Sequence, residues 1–243
     1  MENVAIIGID CATNKKNVAI GYGVYSQSKS IIKKVVASAG KEEPVDIISK
    51  LAKKEKSVLF AFDSPLGWPR EMAHVLYSHK AGEPIDVDAN SLFNRETELF
   101  IKKVIGKKPL EVGADRIART TKWTLDLLDK LRKELNYGIP LSWNHNEILP
   151  ASAIEVYPAA TLLSRHINIR GYKNNQNIKK RNEILERIKE YITIEADKKD
   201  ITETSHKLDA CICVLAASDF LRGDCIPPPK EFSVEKEGWV WIR

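Results

Sequence analysis

The stretch "NVAIIGIDCATNKKNVAIGYGVYSQSKSIIKKVVASAG", residues 3–40, decides the fold. "NVAIIGID" is apolar and β-branched, and "CATNKK" has turn chemistry. "NVAIGYGVYS" is a second strand and "SIIKKVVASAG" a third. The connections are too short for parallel crossovers, so the three strands form an antiparallel meander. "EEPVDIISKLAKKE" follows, with Val45, Ile47, Ile48 and Leu51 as a helical stripe. Its acids come first and its lysines last, as the helix dipole favours. "SVLFAFD" is then a continuous apolar run ending at Asp63. It reads as a central strand buried on both faces and parallel to a neighbour.

Further along, "DSPLGWP" is a stiffened loop and "RETELFIKKVIG" a helix. "RTTKWTLDLLDKLRKEL" is a longer helix with Trp123, Leu127, Leu128, Leu131 and Leu135 on one side. No linker composition sets this region apart. Residues 64–150 therefore read as a mainly helical insertion within a single domain, 1–243. "ASAIEVYPAATL" returns to strand character until Pro158. A helix with Ile184, Leu185, Ile188 and Tyr191 in register follows. Asp200 and Glu203 have capping-box spacing ahead of the last long helix, and Gly223 is placed to end it. "EGWVWIR" closes as an edge strand. The order β-β-β-α-β-(helical insertion)-β-α-α predicts an α/β mixed five-stranded sheet, three antiparallel strands and then parallel ones, flanked by helices.

The chain has 243 residues, a net charge of +5 and four cysteines. No apolar run approaches the roughly 20 residues needed to span a bilayer. The N-terminus lacks the basic region of a signal peptide, so a cytoplasmic protein with no membrane partner is expected. Four cysteines in so long a chain are not a disulfide framework. Cys211 and Cys213 stand two apart on a helix and point in different directions, which argues against a shared metal. The mild basicity permits a nucleic-acid partner without requiring one.

The acids carry the chemistry. In open α/β sheets ligands sit beyond the carboxyl ends of strands. Asp10 and Asp63 lie at two such ends. Glu155 interrupts another apolar strand, and Asp209 interrupts the apolar helical run "HKLDACICVLAAS", residues 206–218. Each has a plainer reading. Asp10 suits the "CATNKK" turn, and Asp63 an Asx turn before Ser64-Pro65. Glu155 suits a solvent-facing strand position. Asp209 suits a pairing with His206 or with a lysine. Taken together, a shared cation is the more economical account. Two carboxylates about 4 Å apart repel by roughly 4 kcal/mol at an effective dielectric near 20. An oxygen-only set favours Mg²⁺ or Mn²⁺, and two such ions can cleave a phosphodiester.

The motifs "IGIDCAT", "AFDSPLGWP", "IEVYPAA" and "HKLDACICVLAASDFL", with the closing "EGWVWI", resemble the domain-of-unknown-function 429 family, classed as predicted nucleases of RNase H-like fold. The last helix is similar to the C-terminal helix of RuvC-type resolvases. The resemblance implies that Asp10, Asp63 and Asp209 hold the metal and that Glu155 completes the catalytic set, and resolvase-like action suggests a homodimer. His206 has two readings, a proton donor or phosphate guide and a helix-end histidine bonded to Asp209 or to a carbonyl. The second is slightly favoured. Residues 165–181 hold six basic residues and no acid. Lys179, Lys180 and Arg181, with Arg95, Arg116 and Arg119 in the insertion, are candidates for nucleic-acid phosphate contact. The expected activity is metal-dependent cleavage of nucleic acid. The alternatives are a non-catalytic nucleic-acid-binding protein of the same fold and a phosphotransferase of the actin and sugar-kinase type.

Overall fold

A computed structural model describes residues 3–38, 42–148, 150–232 and 234–243. Strands β1 (Val4–Asp10), β2 (Ala19–Ser26) and β3 (Lys29–Ala37) form the meander, joined by a 3-10 turn and a tight hairpin. Helix α1 (Pro44–Ala52) crosses to β4 (Val58–Asp63), which pairs with β1 in parallel. Helices α2 (Arg70–Leu76), α3 (Ala89–Phe93), α4 (Glu96–Ile105) and α5 (Ile117–Leu135) precede β5 (Ala151–Glu155), which is parallel to β4. Then come α6 (Pro158–Leu163), α7 (Ile178–Ile188), β6 (Thr193–Ile194), α8 (Lys198–Thr202), α9 (Ser205–Arg222) and α10 (Val234–Glu237). The order across the sheet is β5-β4-β1-β2-β3-β6.

The mixed α/β sheet is as expected, with six strands among the described residues instead of five. The extra strand is a two-residue piece parallel to β3, too short to carry an alternation signal. The closing "EGWVWIR" lies at the other edge, where Val240 makes a single bridge to Glu155. Residues 39–40, the end of the third predicted strand, fall outside the described residues. The last helix starts differently from its sequence signal. Thr204 is the N-cap and accepts from the Lys207 amide, while Asp200 lies within α8. Gly223 ends α9 in the left-handed conformation, as placed.

Strand alternation divides the core in two. Val4, Ile6, Leu59, Ala61 and Ile154 join the layer under α9, while Ala5, Ile7, Ile9, Phe60, Phe62, Ala151 and Ala153 join the layer under α1 and α5. Helix α9 is buried on nearly every side, which explains its continuous apolar sequence. It reaches across β1, β2, β3 and β4. Gly8 and Gly21, paired across β1 and β2, let it approach closely. A Cβ at Gly8 would stand 2.6 Å from the Ala210 carbonyl oxygen and 2.8 Å from Cys213 Cβ.

Replacing Gly8 with Ala should therefore lift α9 off the sheet and lower stability by about 1–3 kcal/mol, the usual range for overpacking. Urea unfolding measures it. A variant as stable as the parent would show that the helix does not rest on this glycine.

Candidate metal centre

Register and alternation build the site. Asp10 and Asp63 end β1 and β4 and are direct partners in the parallel ladder. Both keep the parity of Ile6 and Ala61, so both belong to the face that α9 covers. Asp209 descends from α9 onto that face. One carboxylate oxygen from each aspartate lies within 4.8 Å of the others. Asp10 is only 5% exposed and Asp209 only 1%, so water does little to screen them.

Crowded burial raises all three. Desolvation, with the charge of Asp209 adding to it, lifts Asp10 from 3.8 to about 6, although the His206 hydrogen bond pulls the other way. Burial and then the charge of Asp10 push Asp63 well above the usual carboxylate range. Burial likewise raises Asp209, against Lys173 and the Tyr172 hydroxyl. The structure supplies compensating donors. His206 Nδ1 lies 2.6 Å from Asp10 Oδ2, and that hydrogen bond raises the histidine. Tyr172 donates its hydroxyl to Asp209 Oδ1 at 2.8 Å. Lys173 Nζ is 3.1 Å from Asp209 Oδ2. His206 therefore binds Asp10, whereas the sequence pointed it to Asp209 or a carbonyl. The lysine pairing weighed for Asp209 does form.

The residues fit a hard divalent cation. The donors are all carboxylate oxygens and all start within 4.8 Å of one another. A cavity of about 280 Å³ opens beside the cluster. Pro109, Leu110 and Ile117 from the 64–150 region help to wall it, as do Tyr157 and Lys173.

Glu155 lines the same cavity but is not among the carboxylates grouped within 4.8 Å. It keeps the parity of Ala151 and Ala153, which pack on the other side of the sheet. Nor is it solvent-facing, being 4% exposed. Its two oxygens accept Arg95 Nη2 at 2.6 Å and Arg95 Nη1 at 2.8 Å, and the Leu66 amide reaches Oε2 at 3.0 Å. Arg95 also donates to Glu98 and to the Glu237 carbonyl. With no exposed surface, it is withdrawn from phosphate contact. Arg181 is withdrawn too. Its buried guanidinium donates to the carbonyls of Thr202, Tyr172, Asn174, Asn175 and Glu203. Arg116, Arg119 and Lys179 are exposed, and Lys180 pairs with Glu183. Sequence reasoning missed Lys173 and Tyr172 as aspartate partners, because the basic segment around them carries no local signal singling out either one.

The molecule is thus an α/β protein with a buried aspartate cluster at the carboxyl ends of its parallel strands. A family model described as a protein of unknown function, DUF429, matches residues 8–232, and the chain belongs to that family. Comparison with curated proteins and with solved structures gave no match in either case.

Two outcomes are expected. Arg95→Met leaves Glu98 and Glu155 as buried, unpaired carboxylates. It should cost about 3–5 kcal/mol in urea unfolding, and an unchanged midpoint would contradict the pairing. The second concerns pH. Asp10 is raised when folded, so the metal-free chain loses stability as pH climbs from about 4 through 6, the folded state giving up a proton the unfolded state has already lost. A divalent cation needs the deprotonated form. Mn²⁺ should therefore raise the melting temperature more at pH near 7.5 than near 5.5. Equal shifts at both values would count against the cluster as the binding site.

Proposed function

We propose that the chain is a metal-dependent nuclease of RNase H-like architecture, hydrolysing phosphodiester bonds of nucleic acid at the Asp10–Asp63–Asp209 centre. The observation that carries this reading is the convergence of three aspartates from β1, β4 and α9 on one buried point. Asp10, Asp63 and Asp209 would hold Mg²⁺ or Mn²⁺. Such an ion would supply an acidified water and neutralise charge on a phosphate.

The chain's own residues support the rest. The carboxylate of Asp10 engages Nδ1 of His206, which leaves Nε2 as the basic nitrogen of the neutral ring. Half-exposed beside the cavity, His206 would accept a proton from an attacking water and return it to the leaving oxygen. Asp10 then steadies the imidazolium. The apolar residues walling the cavity, Pro65, Pro109 and Leu110, limit water around the reacting phosphate. Ile117, the first residue of α5, lines the cavity, and exposed Arg116 and Arg119 flank it in sequence. They are suited to hold the phosphates on either side of the cleaved bond, and Lys179 extends the basic surface.

Asp209→Asn tests the reading. Losing an outer partner of a metal ligand commonly costs 10–100-fold, so losing a ligand should exceed about 100-fold in Mn²⁺-dependent cleavage across a panel of DNA, RNA, hybrid and branched substrates. The parent fold should persist by circular dichroism. Full activity in Asp209→Asn would refute the assignment, and Mn²⁺ binding with no cleavage of any substrate would favour a non-catalytic nucleic-acid-binding role.

A further inference from the structure

Tyr172 and Lys173 come from the basic segment between α6 and α7, not from any element of the sheet. That segment is fixed. Arg181, on α7 and 1% exposed, donates to the carbonyls of Tyr172, Asn174 and Asn175 on one side and to those of Thr202 and Glu203 on the other. The latter two immediately precede the Thr204 cap of α9. One buried guanidinium thus ties the lysine's loop to the base of the helix that carries Asp209. Lys173 Nζ meets Asp209 Oδ2 at 3.1 Å, and it also lies over the Tyr172 ring, 5.7 Å from its centre. Its charge bears on Asp63 and Asp10 as well.

Some of the oxygens around the site already carry donors. Both oxygens of Asp209 have a donor, Tyr172 on Oδ1 and Lys173 on Oδ2. Asp10 Oδ2 is engaged by His206. Glu155, which lines the same cavity, has both oxygens on Arg95. Asp63 and Oδ1 of Asp10 remain for a first ion beside Asp209, whereas a second ion drawing on Asp209 Oδ2 would have to displace Lys173. Charge gives the same answer. One divalent ion and one ammonium together neutralise three carboxylates, whereas two divalent ions and the ammonium overshoot.

We propose, resting on the reading of this cluster as a cation-holding phosphodiesterase centre, that Lys173 supplies the second positive charge of the site, so that the chain takes one divalent cation and not two. The lysine ammonium stands where a second ion would meet Asp209, and it is free to pair with a phosphate oxygen as substrate enters. Lys, a compact point charge, suits that place better than a planar guanidinium.

The experiment counts Mn²⁺ per chain by electron paramagnetic resonance under equilibrium dialysis, in the parent, Lys173→Met and Lys173→Arg. The lysine side chain is 61% exposed, so Lys173→Met should keep the fold, and Lys173→Arg keeps the charge in any case. The parent and Lys173→Arg should bind one ion. Lys173→Met should bind two, with spin coupling between them. A parent that binds two ions, or Lys173→Met that stays at one, would overturn the inference while leaving a metal centre in place. A parent that binds none would remove the centre itself, and the inference with it.

Discussion

The close seat of α9 on the sheet governs the rest. A helix packed on a sheet through ordinary side chains would stand too high for a carboxylate as short as aspartate to reach strand ends. Gly8 and Gly21 remove the intervening side chains, and the helix backbone at Ala210 settles nearly onto β1 and β2. Asp209 is the residue before Ala210. The contact that lowers the helix therefore also sets the depth of the third carboxylate. The same geometry makes the helix apolar all round, since it has almost no solvent face to leave polar.

A second charged group stands beside the aspartates and does different work. Arg95 joins Glu98 and Glu155 and holds the Glu237 carbonyl, while the side chain of Glu237 accepts the Arg70 and Glu96 amides. Gly67 sits so tightly under this turn that a Cβ there would meet the Glu237 carbonyl oxygen at 2.4 Å. The sequence motifs accordingly sort into two sets. "IGID", "AFD" and "HKLD" end on the aspartates and on His206. "PLGWP", "IEVYP" and "EGWVWI" meet around Arg95 and brace the wall of the cavity. Buried charge is stabilising only where it is fully paired, and here five or more donors converge on two glutamates.

Much of the framework was legible because the sheet is built from local signals. The meander, the α1 crossover, β4 and α9 follow from alternation, stripes and caps. Asp10, Asp63 and Asp209 were legible as acids in expensive positions. Glu155 misled because it too interrupts an apolar strand. Its parity with Ala151 and Ala153 sets it on the opposite face from Asp10 and Asp63, and only the core layers give that parity a meaning. Arg95 and Arg181 misled for a related reason. An arginine in a basic or polar stretch looks solvated, and nothing nearby announces that its partners are glutamates or carbonyls from remote parts of the chain.

The basic segment shows how the chain folds around three acids before any ion arrives. Three unscreened carboxylates within 4.8 Å would oppose folding by several kcal/mol through mutual repulsion alone. Raised carboxyl affinity for protons relieves part of this, and Tyr172, Lys173 and His206 relieve more by bonding directly to the acids. These donors are arranged from the outside inward. Arg181 fixes the loop, the loop presents the lysine and the tyrosine, and those two hold Asp209. Such an arrangement keeps the acids in position at a modest energetic cost, so a cation meets a site that is already formed instead of one it must assemble.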